Sequence, residues 1–373
     1  MKEKVLEIIA TANIGGGSKH LLYLLKSFPN DRYEPVVMCS DDGPLVDDIK
    51  KLNIKVELID IFKYKLGFKL TQIFRDVIRK NNINYVHLHG TRSGYFGGIA
   101  AVREGIKSIY TAHVLSFNKL GNIFNRTIYN SIEKKIAKMV NKIITVSYVD
   151  RDILINKRFA TSNDIVTINN GVDFNYYQKT APDIELKKSF GIPEKNKVIT
   201  MVARFVPQKG IHYFIQTASE VIKTHPDTTF VLVGDGFLFS KMKELVRDLN
   251  LKNNVKFLGI RKNIKEILSF TDIFLLTSLW EGLPLTLLEA MSMSIPVISS
   301  EVNGTIELIK NGVNGYLVKP GNVKGYTDRV RHLLQNPYYL ELMGNAGRLI
   351  IEERYGIQKM IDKTYNLYFE VFN

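Results

Sequence analysis

Two glutamates stand eight positions apart in a stretch of sequence that is otherwise apolar. Glu281 and Glu289 lie within Ser278–Met291, where a predicted strand ends and a helix is expected to begin. Because eight positions span just over two helical turns, both carboxylates are predicted to face roughly the same side. A carboxylate inside an apolar helix needs a partner. Ribose hydroxyl groups would serve, and so would a structural arginine, so the residues alone leave both interpretations open.

Two cations follow the first predicted strand of the second half of the chain. Arg204 comes directly after Val198–Ala203, and Lys209 lies five residues further on, before Gly210. In open α/β sheets, ligands bind outside the carboxyl ends of the strands. A pair of cations at such a position, next to a glycine, suits a diphosphate. The alternative is that both are ordinary surface cations.

Glycine-rich turns follow other predicted strands. They are Gly15-Gly16-Gly17 and Gly234-Asp235-Gly236. The first precedes a predicted helix at Ser18–Ser27, whose free N–H groups could bind an anion while the glycines let a ligand approach the backbone. It lacks the GxGxxG spacing with a following acidic residue, so a nicotinamide site is not indicated. A plain turn is the alternative for this segment.

Three histidines lie at or near predicted strand ends. His113 closes the strand Ser108–His113, and His87 and His89 lie in Tyr85–His89. A lone histidine is more often structural than functional, and we interpret His87 and His89 as structural. The chain spacing of His, Cys, Asp and Glu matches no metal site, and no GxSxG motif occurs. The sequence therefore predicts no metal and no serine nucleophile.

Short β-rich runs alternate with helical patterns through the first half of the chain, which predicts βαβ units with a parallel sheet buried on both faces. The predicted strands are Val5–Ala10, Tyr33–Ser40, Ile54–Ile61, Tyr85–His89, Ser108–His113, Lys142–Ser147 and Ile165–Asn169.

A second α/β series follows a polar stretch, Asp173–Asn196, that is interpreted as a linker. Its predicted strands are Val198–Arg204, Thr229–Gly234, Asn254–Gly259, Ile273–Ser278, Pro296–Ser300 and Gly315–Val318. We therefore predict an α/β protein with two Rossmann-like, doubly wound domains, 1–180 and 181–373, that face each other across a cleft. The last helix is a candidate to cross back to the N-terminal domain.

The composition is that of an ordinary globular chain. Of 373 residues, 45% are hydrophobic and 24% are charged, which excludes disorder and collagen-like repeats. The single cysteine, Cys39, cannot form an internal disulfide, so a disulfide-stapled secreted scaffold is excluded. The first apolar run is too short for a signal peptide, and no run approaches a membrane span. We expect a cytoplasmic protein.

The net charge is +14, and residues 1–180 contribute 27 basic against 17 acidic residues, or +10. No RNA-binding motif is present, so nucleic acid is not an expected partner.

Two basic segments with apolar side chains, 61–80 and 119–142, suit an anionic membrane surface. The alternative is that their apolar stripes pack on the sheet while the lysines are solvated. For 119–142 we favour that alternative, whereas for 61–80 both remain open.

Taken together, these motifs resemble glycosyltransferase family 4, the retaining enzymes with a GT-B fold. The strongest match runs from Glu281-Gly282-Leu283-Pro284-Leu285 to Glu289-Ala290-Met291, which is similar to the E-x7-E motif of the family. The resemblance covers nearly the whole chain. Further matches are Val202-Ala203-Arg204 with Lys209-Gly210, Val233-Gly234-Asp235-Gly236, Thr111-Ala112-His113 and Gly15-Gly16.

The resemblance implies roles by position. Arg204 and Lys209 would hold the diphosphate of the donor, Glu281 and His113 would contact the transferred sugar, and Glu289 would bind the ribose. The remaining donor-binding residues would be Gly16, Gly234, Asp235, Gly236, Ile260, Arg261, Gly282, Leu283, Pro284 and Leu285. Gly15 and Gly17 would lie at the acceptor.

The implied reaction moves a hexose from a nucleotide diphosphate sugar, with a UDP-sugar expected, to a sugar or lipid-linked acceptor in bacterial cell-surface polysaccharide synthesis. It needs no cofactor and no metal, since cations and helix N-termini can stabilise the leaving diphosphate. A nucleotide-sugar 2-epimerase with the same fold, and a non-catalytic nucleotide-sugar- or RNA-binding protein, are the alternatives. A lipid-linked acceptor would place the enzyme on the cytoplasmic face of the membrane.

Overall fold

The computed structural model describes residues 2–13, 15–40, 43–64, 67–115 and 123–372, with the side chains of 123–126 left out. The chain forms two compact units. The N-terminal unit comprises Met1–Asn170 together with Ile357–Asn373, and the C-terminal unit comprises Gly171–Gly356. The sequence-based boundary lies at residue 180. The segment predicted as a linker contains a short helix, Ile184–Ser189, because Asp183 caps it by accepting from the Leu186 amide.

The N-terminal unit is built on a parallel sheet of seven strands in the order β3-β2-β1-β4-β5-β6-β7. The strands are β1 Glu3–Ile9, β2 Tyr33–Cys39, β3 Lys55–Leu58, β4 Tyr85–His89, β5 Lys107–Ala112, β6 Lys142–Thr145 and β7 Ile165–Thr167. The helices are α1 Gly16–Lys26, α2 Pro44–Lys51, α3 Gly67–Lys80, α4 Thr91–Glu104, α5 Ile123–Met139, α6 Tyr148–Asn156 and, at the end of the chain, α15 Ile357–Val371.

Helices cover both faces of this sheet, as expected for strands that are apolar on both sides. Alternate residues of β1 go to opposite cores: Val5 and Ile9 pack with α1, α2 and α15, whereas Leu6 and Ile8 pack with the helices from α3 to α6. Glu7 therefore lies on the face that α1 and α15 cover. This doubly wound arrangement confirms the predicted Rossmann-like topology of the unit.

The C-terminal unit repeats the scheme with six parallel strands in the order β10-β9-β8-β11-β12-β13. The strands are β8 Lys197–Val202, β9 Thr228–Val233, β10 Val255–Gly259, β11 Ile273–Leu276, β12 Val297–Ser300 and β13 Gly315–Val318. The helices are α7 Ile184–Ser189, α8 Ile211–Ile222, α9 Phe239–Asp248, α10 Ile264–Ser269, α11 Leu285–Ser292, α12 Asn303–Leu308, α13 Val323–Gln335 and α14 Pro337–Arg354.

Every predicted strand is present, with ends that differ by a few residues. In each sheet, successive strands are first added on one side and then on the other. The change of side occurs between β1 and β4 in one sheet and between β8 and β11 in the other. The loops after such neighbouring strands diverge and leave a crevice where ligands bind. None of the helices in the described part of the chain has the length and hydropathy of a transmembrane span.

Candidate functional site

The charged residues singled out in the C-terminal unit come from the two strands at its crevice. Arg204 and Lys209 follow β8, and Glu281 follows β11, which is hydrogen-bonded to β8 as its neighbour. The two loops are joined directly. The Leu279 amide donates to the Gln208 carbonyl at 2.7 Å, and the Gln208 side chain donates to the Trp280 carbonyl at 2.9 Å.

Lys209 and Glu281 form an ion pair across these loops. The Lys209 ammonium donates to Glu281 Oε1, and the hydroxyl of Ser278 donates to the same oxygen at 2.6 Å. Only 4% of Glu281 is exposed, and the Lys209 side chain is 16% exposed. The carboxylate therefore fixes the position of a cation whose outer side remains accessible. Neither the pairing nor the part of Ser278 is predicted by the sequence pattern.

A glycine makes the close contact between these loops possible. Gly210 has φ +58°, and a Cβ atom at this position would lie 2.2 Å from the carbonyl oxygen of Thr277. The Thr277 hydroxyl donates to the Gly210 carbonyl at 3.0 Å. No side chain fits between the two backbones, so Gly210 holds Lys209 next to the end of β11.

The predicted glycine turn after β9 lies against the loop that carries Arg204. Gly234 has φ +131°, and a Cβ atom there would lie 2.0 Å from the carbonyl oxygen of Ala203. The Phe205 amide donates to the Asp235 carbonyl at 2.8 Å. Arg204 itself is exposed. Its guanidinium is thus available to a ligand, while its backbone is fixed by the neighbouring turn.

Glu289 lies inside α11 and is 2% exposed. The helix begins at Leu285 with Pro284 as its N-cap. Glu281 therefore lies in the turn before the helix, and the helical spacing that predicted both carboxylates on roughly the same side does not apply to it. The physical reason is that Pro284 ends the preceding turn and fixes where the helix starts. Burial, and after it the Glu289 carboxylate, raises the pKa of Tyr177 well above its ordinary value.

The remaining donor-binding candidates surround these residues or lie further along the sheet. Gly282, Leu283 and Pro284 form the buried turn into α11. Ile260 and Arg261 follow β10, the edge strand, and Ile260 is 59% exposed. The Arg261 side chain donates to the Leu258 carbonyl at 2.8 Å and stacks over the ring of Phe190 at 5.0 Å.

In the N-terminal unit, the predicted site residues meet at the carboxyl ends of β1 and β5. Gly15 is the N-cap of α1, and Gly16 and Gly17 form its first turn. A Cβ atom on Gly17 would lie 3.5 Å from the ring of His113. The structure therefore brings the glycine turn and His113 together.

His113 is one member of a cluster that the sequence pattern did not reveal. Its Nε2 atom lies 3.2 Å from His89 Nδ1, and His89 Nε2 lies 2.8 Å from the carboxylate of Glu7. The rings of His20 and His113 are in edge-to-face contact, with centroids 4.9 Å apart. His87, next to Glu7, is hydrogen-bonded to Tyr368 and Thr111. The alternation of side chains along β4 could have signalled that His87 and His89 share a face.

Burial governs the protonation of this cluster. It lowers the pKa of His20 to about 3 and that of His89 to about 4. Burial, followed by the effect of His20 and His89, also lowers the pKa of His113 well below its ordinary value. For Glu7, burial opposes ionisation, but the interactions with His87 and His89 outweigh it and lower the pKa. At neutral pH Glu7 is therefore a carboxylate, and His20, His89 and His113 are neutral imidazoles.

Two groups of described residues could hold a metal ion. They are His20 with His89 and His113, and Glu7 with His87 and His89, and in each group the ligand atoms lie within 4.8 Å of one another. Apart from His87 and His89, their members are far apart in the chain, so sequence spacing could not indicate the groups. Both groups lie in the N-terminal unit, whereas the cations and glutamates described above lie in the C-terminal unit.

Comparison with known proteins places the chain among sugar-transferring enzymes. The family described as Glycosyltransferase Family 4 matches residues 14–176, and Glycosyl transferases group 1 matches residues 183–349. A UDP-Gal:alpha-D-GlcNAc-diphosphoundecaprenol alpha-1,3-galactosyltransferase of Escherichia coli is 30% identical, over 99% of this chain and 97% of its own length. An N-acetyl-alpha-D-glucosaminyl L-malate synthase of Bacillus anthracis is 28% identical, over 85% of this chain and 83% of its own.

Solved structures agree in fold. The crystal structure of the Anabaena protein HepE in complex with UDP and glucose superimposes with a TM-score of 0.87, at 22% identity, over 99% of this chain and 100% of that one. A sucrose-phosphate synthase from Thermosynechococcus elongatus has a TM-score of 0.84 at 17% identity, over 100% of this chain and 99% of that one. These likenesses confirm the predicted GT-B fold class.

Proposed function

Because the chain belongs to the group 1, family 4 glycosyltransferases, we propose that it moves a hexose from a UDP-sugar to a sugar or lipid-linked acceptor with retention of configuration. The name of the Escherichia coli relative specifies UDP-Gal as donor and a diphosphoundecaprenol-linked sugar as acceptor. Assembly of a bacterial cell-surface glycan is the setting that this relative supports.

The observation that carries the proposal is the fixed cation at the crevice of the C-terminal sheet. Lys209 is held by the buried Glu281, and Arg204 stands exposed on the same loop. Negative charge grows on the β-phosphate as the bond to the sugar breaks. Positive groups that are already in place stabilise that charge without reorganising at the moment of reaction. This arrangement suits departure of a diphosphate without a metal ion.

The proposed transfer balances without a protein nucleophile. The bond between the anomeric carbon and the phosphate oxygen breaks, and a bond from the acceptor oxygen forms on the same face of the sugar. The proton of the acceptor hydroxyl passes to the departing phosphate oxygen. In this scheme Glu281 positions Lys209 beside the diphosphate and sugar, and Glu289 accepts hydrogen bonds from the ribose hydroxyls.

The other roles are assigned by position in the family motifs. His113 contacts the transferred sugar, and Gly15 and Gly17 leave room for the acceptor. Ile260 and Arg261, in the loop after the edge strand β10, are assigned to the nucleobase. Gly17 lies so close to the His113 ring that a Cβ atom on it would be 3.5 Å away, which supports a shared role for the glycine turn and the histidine.

A donor screen tests the proposal. Thermal unfolding is measured with UDP-glucose, UDP-galactose, UDP-N-acetylglucosamine and GDP-mannose, because a ligand at 100 times its Kd stabilises the folded state by about 2.7 kcal/mol. The stabilising donor is then incubated with lipid-linked acceptors, and the linkage is read by NMR. We expect an α-linked product from an α-linked donor. Inversion would contradict retention, and conversion of the donor to its 2-epimer without acceptor would favour the epimerase alternative.

We also propose that the N-terminal unit docks on anionic lipid through segment 61–80. Phe68 is 83% and Phe62 is 56% exposed, and the Arg92 guanidinium lies over the Phe62 ring at 5.3 Å. Lys63 and Lys69 accompany these rings, whereas Arg75 and Arg79 pair with Glu104 and Lys80 pairs with Glu57. Lys65 lies outside the described residues. Exposed rings beside cations support contact with headgroups.

The second basic segment, 119–142, is not proposed to dock on anionic lipid. Ile132 and Val140 pack against the core, and Ile136 is fully buried within it. Ile128 is 43% exposed. Residues 119–122 lie outside the described part of the chain. The favoured alternative, in which this stripe packs onto the sheet, therefore agrees with Ile132, Ile136 and Val140, whereas Ile128 does not pack in this way.

A further inference from the structure

Three histidines converge at the carboxyl edge of the N-terminal sheet. His89 ends β4, His113 follows β5, and His20 lies in α1. One ring nitrogen from each lies within 4.8 Å of the other two. Period-two alternation places His89 on the sheet face that α1 covers, so three separate elements deliver their imidazoles to one small volume.

Hydrogen bonds on the outer side of two rings determine which nitrogens carry lone pairs. Because the ionised carboxylate of Glu7 can only accept, His89 donates from Nε2 at 2.8 Å and keeps a lone pair on Nδ1. His20 Nδ1 lies 3.0 Å from the side-chain oxygen of Asn170 and donates to it, which leaves a lone pair on Nε2. Within the described residues, this buried His20 Nε2 has no hydrogen-bond partner.

The spacing fits a tetrahedral transition-metal ion. Bonds of about 2.0–2.1 Å to imidazole nitrogen place two ligand atoms about 3.3 Å apart in a tetrahedral site. His89 Nδ1 and His113 Nε2 are 3.2 Å apart. His113 would move its remaining proton from Nε2 to Nδ1, and the ligand nitrogen of His20, which lies within 4.8 Å of the other two, would move toward them to close the third corner.

We infer that His20, His89 and His113 form a binding site for Zn²⁺ or a similar borderline transition-metal ion, with the fourth position open to water. Glu7 and Asn170 complete the site from outside, since a carboxylate or amide oxygen behind a metal-bound imidazole fixes its tautomer and orientation. Imidazole ligands suit zinc, cobalt, nickel and copper, whereas magnesium and calcium prefer oxygen. The site therefore discriminates against Mg²⁺.

Occupation of this site would inhibit sugar transfer. This consequence rests on the proposed function, in which His113 contacts the transferred sugar. A ring that is bound to a metal through Nε2 cannot use that nitrogen on a substrate. The site would thus make the enzyme sensitive to free zinc, and it plays no part in the metal-independent reaction itself.

The test measures metal binding without any donor or acceptor. Full-length protein without a histidine tag is titrated with Zn²⁺ against a chromophoric chelator, and with Co²⁺, whose visible absorption reports coordination geometry. We expect one ion per chain and the intense Co²⁺ bands of a tetrahedral site. Loss of an outer partner of a metal ligand costs 10–100-fold in affinity, so we expect Asn170→Ala to weaken binding by about that factor and His20→Gln by about 100-fold or more.

His225→Ala is the matched control, because His225 lies in the C-terminal unit and its substitution removes a histidine without touching the cluster. Wild-type affinity in His20→Gln, an octahedral Co²⁺ spectrum, or no binding at micromolar Zn²⁺ would overturn the site and leave a hydrogen-bonded network that only positions His113. Because metal binding is measured without substrate, this experiment tests the metal site even if the proposed sugar donor is wrong. Tight binding without inhibition of transfer would overturn the inhibitory role alone.

Discussion

Lys209 and the buried Glu281 form an ion pair that joins the loops after two neighbouring parallel strands, and Ser278 donates to the same carboxylate oxygen. The pair differs in kind from the exposed Arg204 on the same loop. Removing one partner of a buried ion pair leaves the other charge without a counter-charge and poorly solvated. Lys209 is therefore expected to matter for stability as well as for the proposed chemistry, whereas Arg204 should matter for chemistry alone.

Substitution of the two cations separates these effects. We expect Arg204→Ala to lower kcat by about 10²–10³-fold, the usual cost of losing one electrostatic contact to the developing charge, with the free energy of unfolding unchanged. Lys209→Ala should lower kcat similarly and also reduce the free energy of unfolding by about 3–5 kcal/mol. Steady-state kinetics and urea unfolding measure both quantities.

The double variant Lys209→Met, Glu281→Gln is the control for this pair. Removing both charges should restore much of the lost stability, since no buried carboxylate is left without a cation, and activity should stay low. Wild-type turnover in both Arg204→Ala and Lys209→Ala would contradict their assignment to the diphosphate.

The two glutamates are predicted to differ in the kinetic parameter that they control. Glu281→Gln should mainly lower kcat, because it frees the cation that stabilises the leaving group. Glu289→Gln should mainly weaken UDP binding, by about 10–100-fold for the loss of a hydrogen bond to a charged group, since ribose is bound equally in the ground and transition states. Calorimetric titration with UDP and steady-state kinetics decide, and the reverse pattern would exchange the two roles.

Sugar transfer is predicted to need no divalent metal, because Arg204, Lys209 and backbone N–H groups can stabilise the diphosphate. The rate should be unchanged by EDTA, or rise if zinc had occupied the histidine cluster. Adding Mg²⁺ to the EDTA-treated enzyme should have no effect. Loss of activity in EDTA that Mg²⁺ or Mn²⁺ restores would show that the reaction depends on a metal.

Binding to vesicles is predicted to depend on segment 61–80. Co-sedimentation should require anionic lipid, fade with salt, and fall when Lys63, Lys65 and Lys69 are changed to Glu, since each cation near the surface contributes about 1 kcal/mol. A variant with Lys223, Lys241 and Lys252 changed to Glu carries the same net charge and keeps the segment intact. Equal recovery on neutral and anionic vesicles, or equal loss in both variants, would defeat the proposal.

The fold class, and the positions where chemistry could take place, can be predicted from the amino-acid pattern. Buried parallel strands are continuous apolar runs, so the pattern predicts Tyr85–His89 and Gly315–Val318 to the residue. Ligands bind beyond the carboxyl ends of such strands, which is why position in the chain draws attention to Arg204 and Lys209, whereas the role of His113 comes only from the resemblance to the family. The start of α11 is less predictable, because an apolar run continues through the turn that Pro284 ends.

Which of these residues come into contact depends on how the strands are arranged in space. The local sequence pattern does not determine the order of the strands in a sheet. Lys209 contacts Glu281, 72 positions away, because β8 and β11 are neighbours in the sheet. The adjacency of β1, β4 and β5 likewise brings Glu7, His89 and His113 together. Period-two alternation determines the face on which a side chain lies, but its neighbours on that face depend on long-range pairing. Contacts between distant segments arise when the whole sheet packs together, so they cannot be predicted from the spacing of residues along the chain.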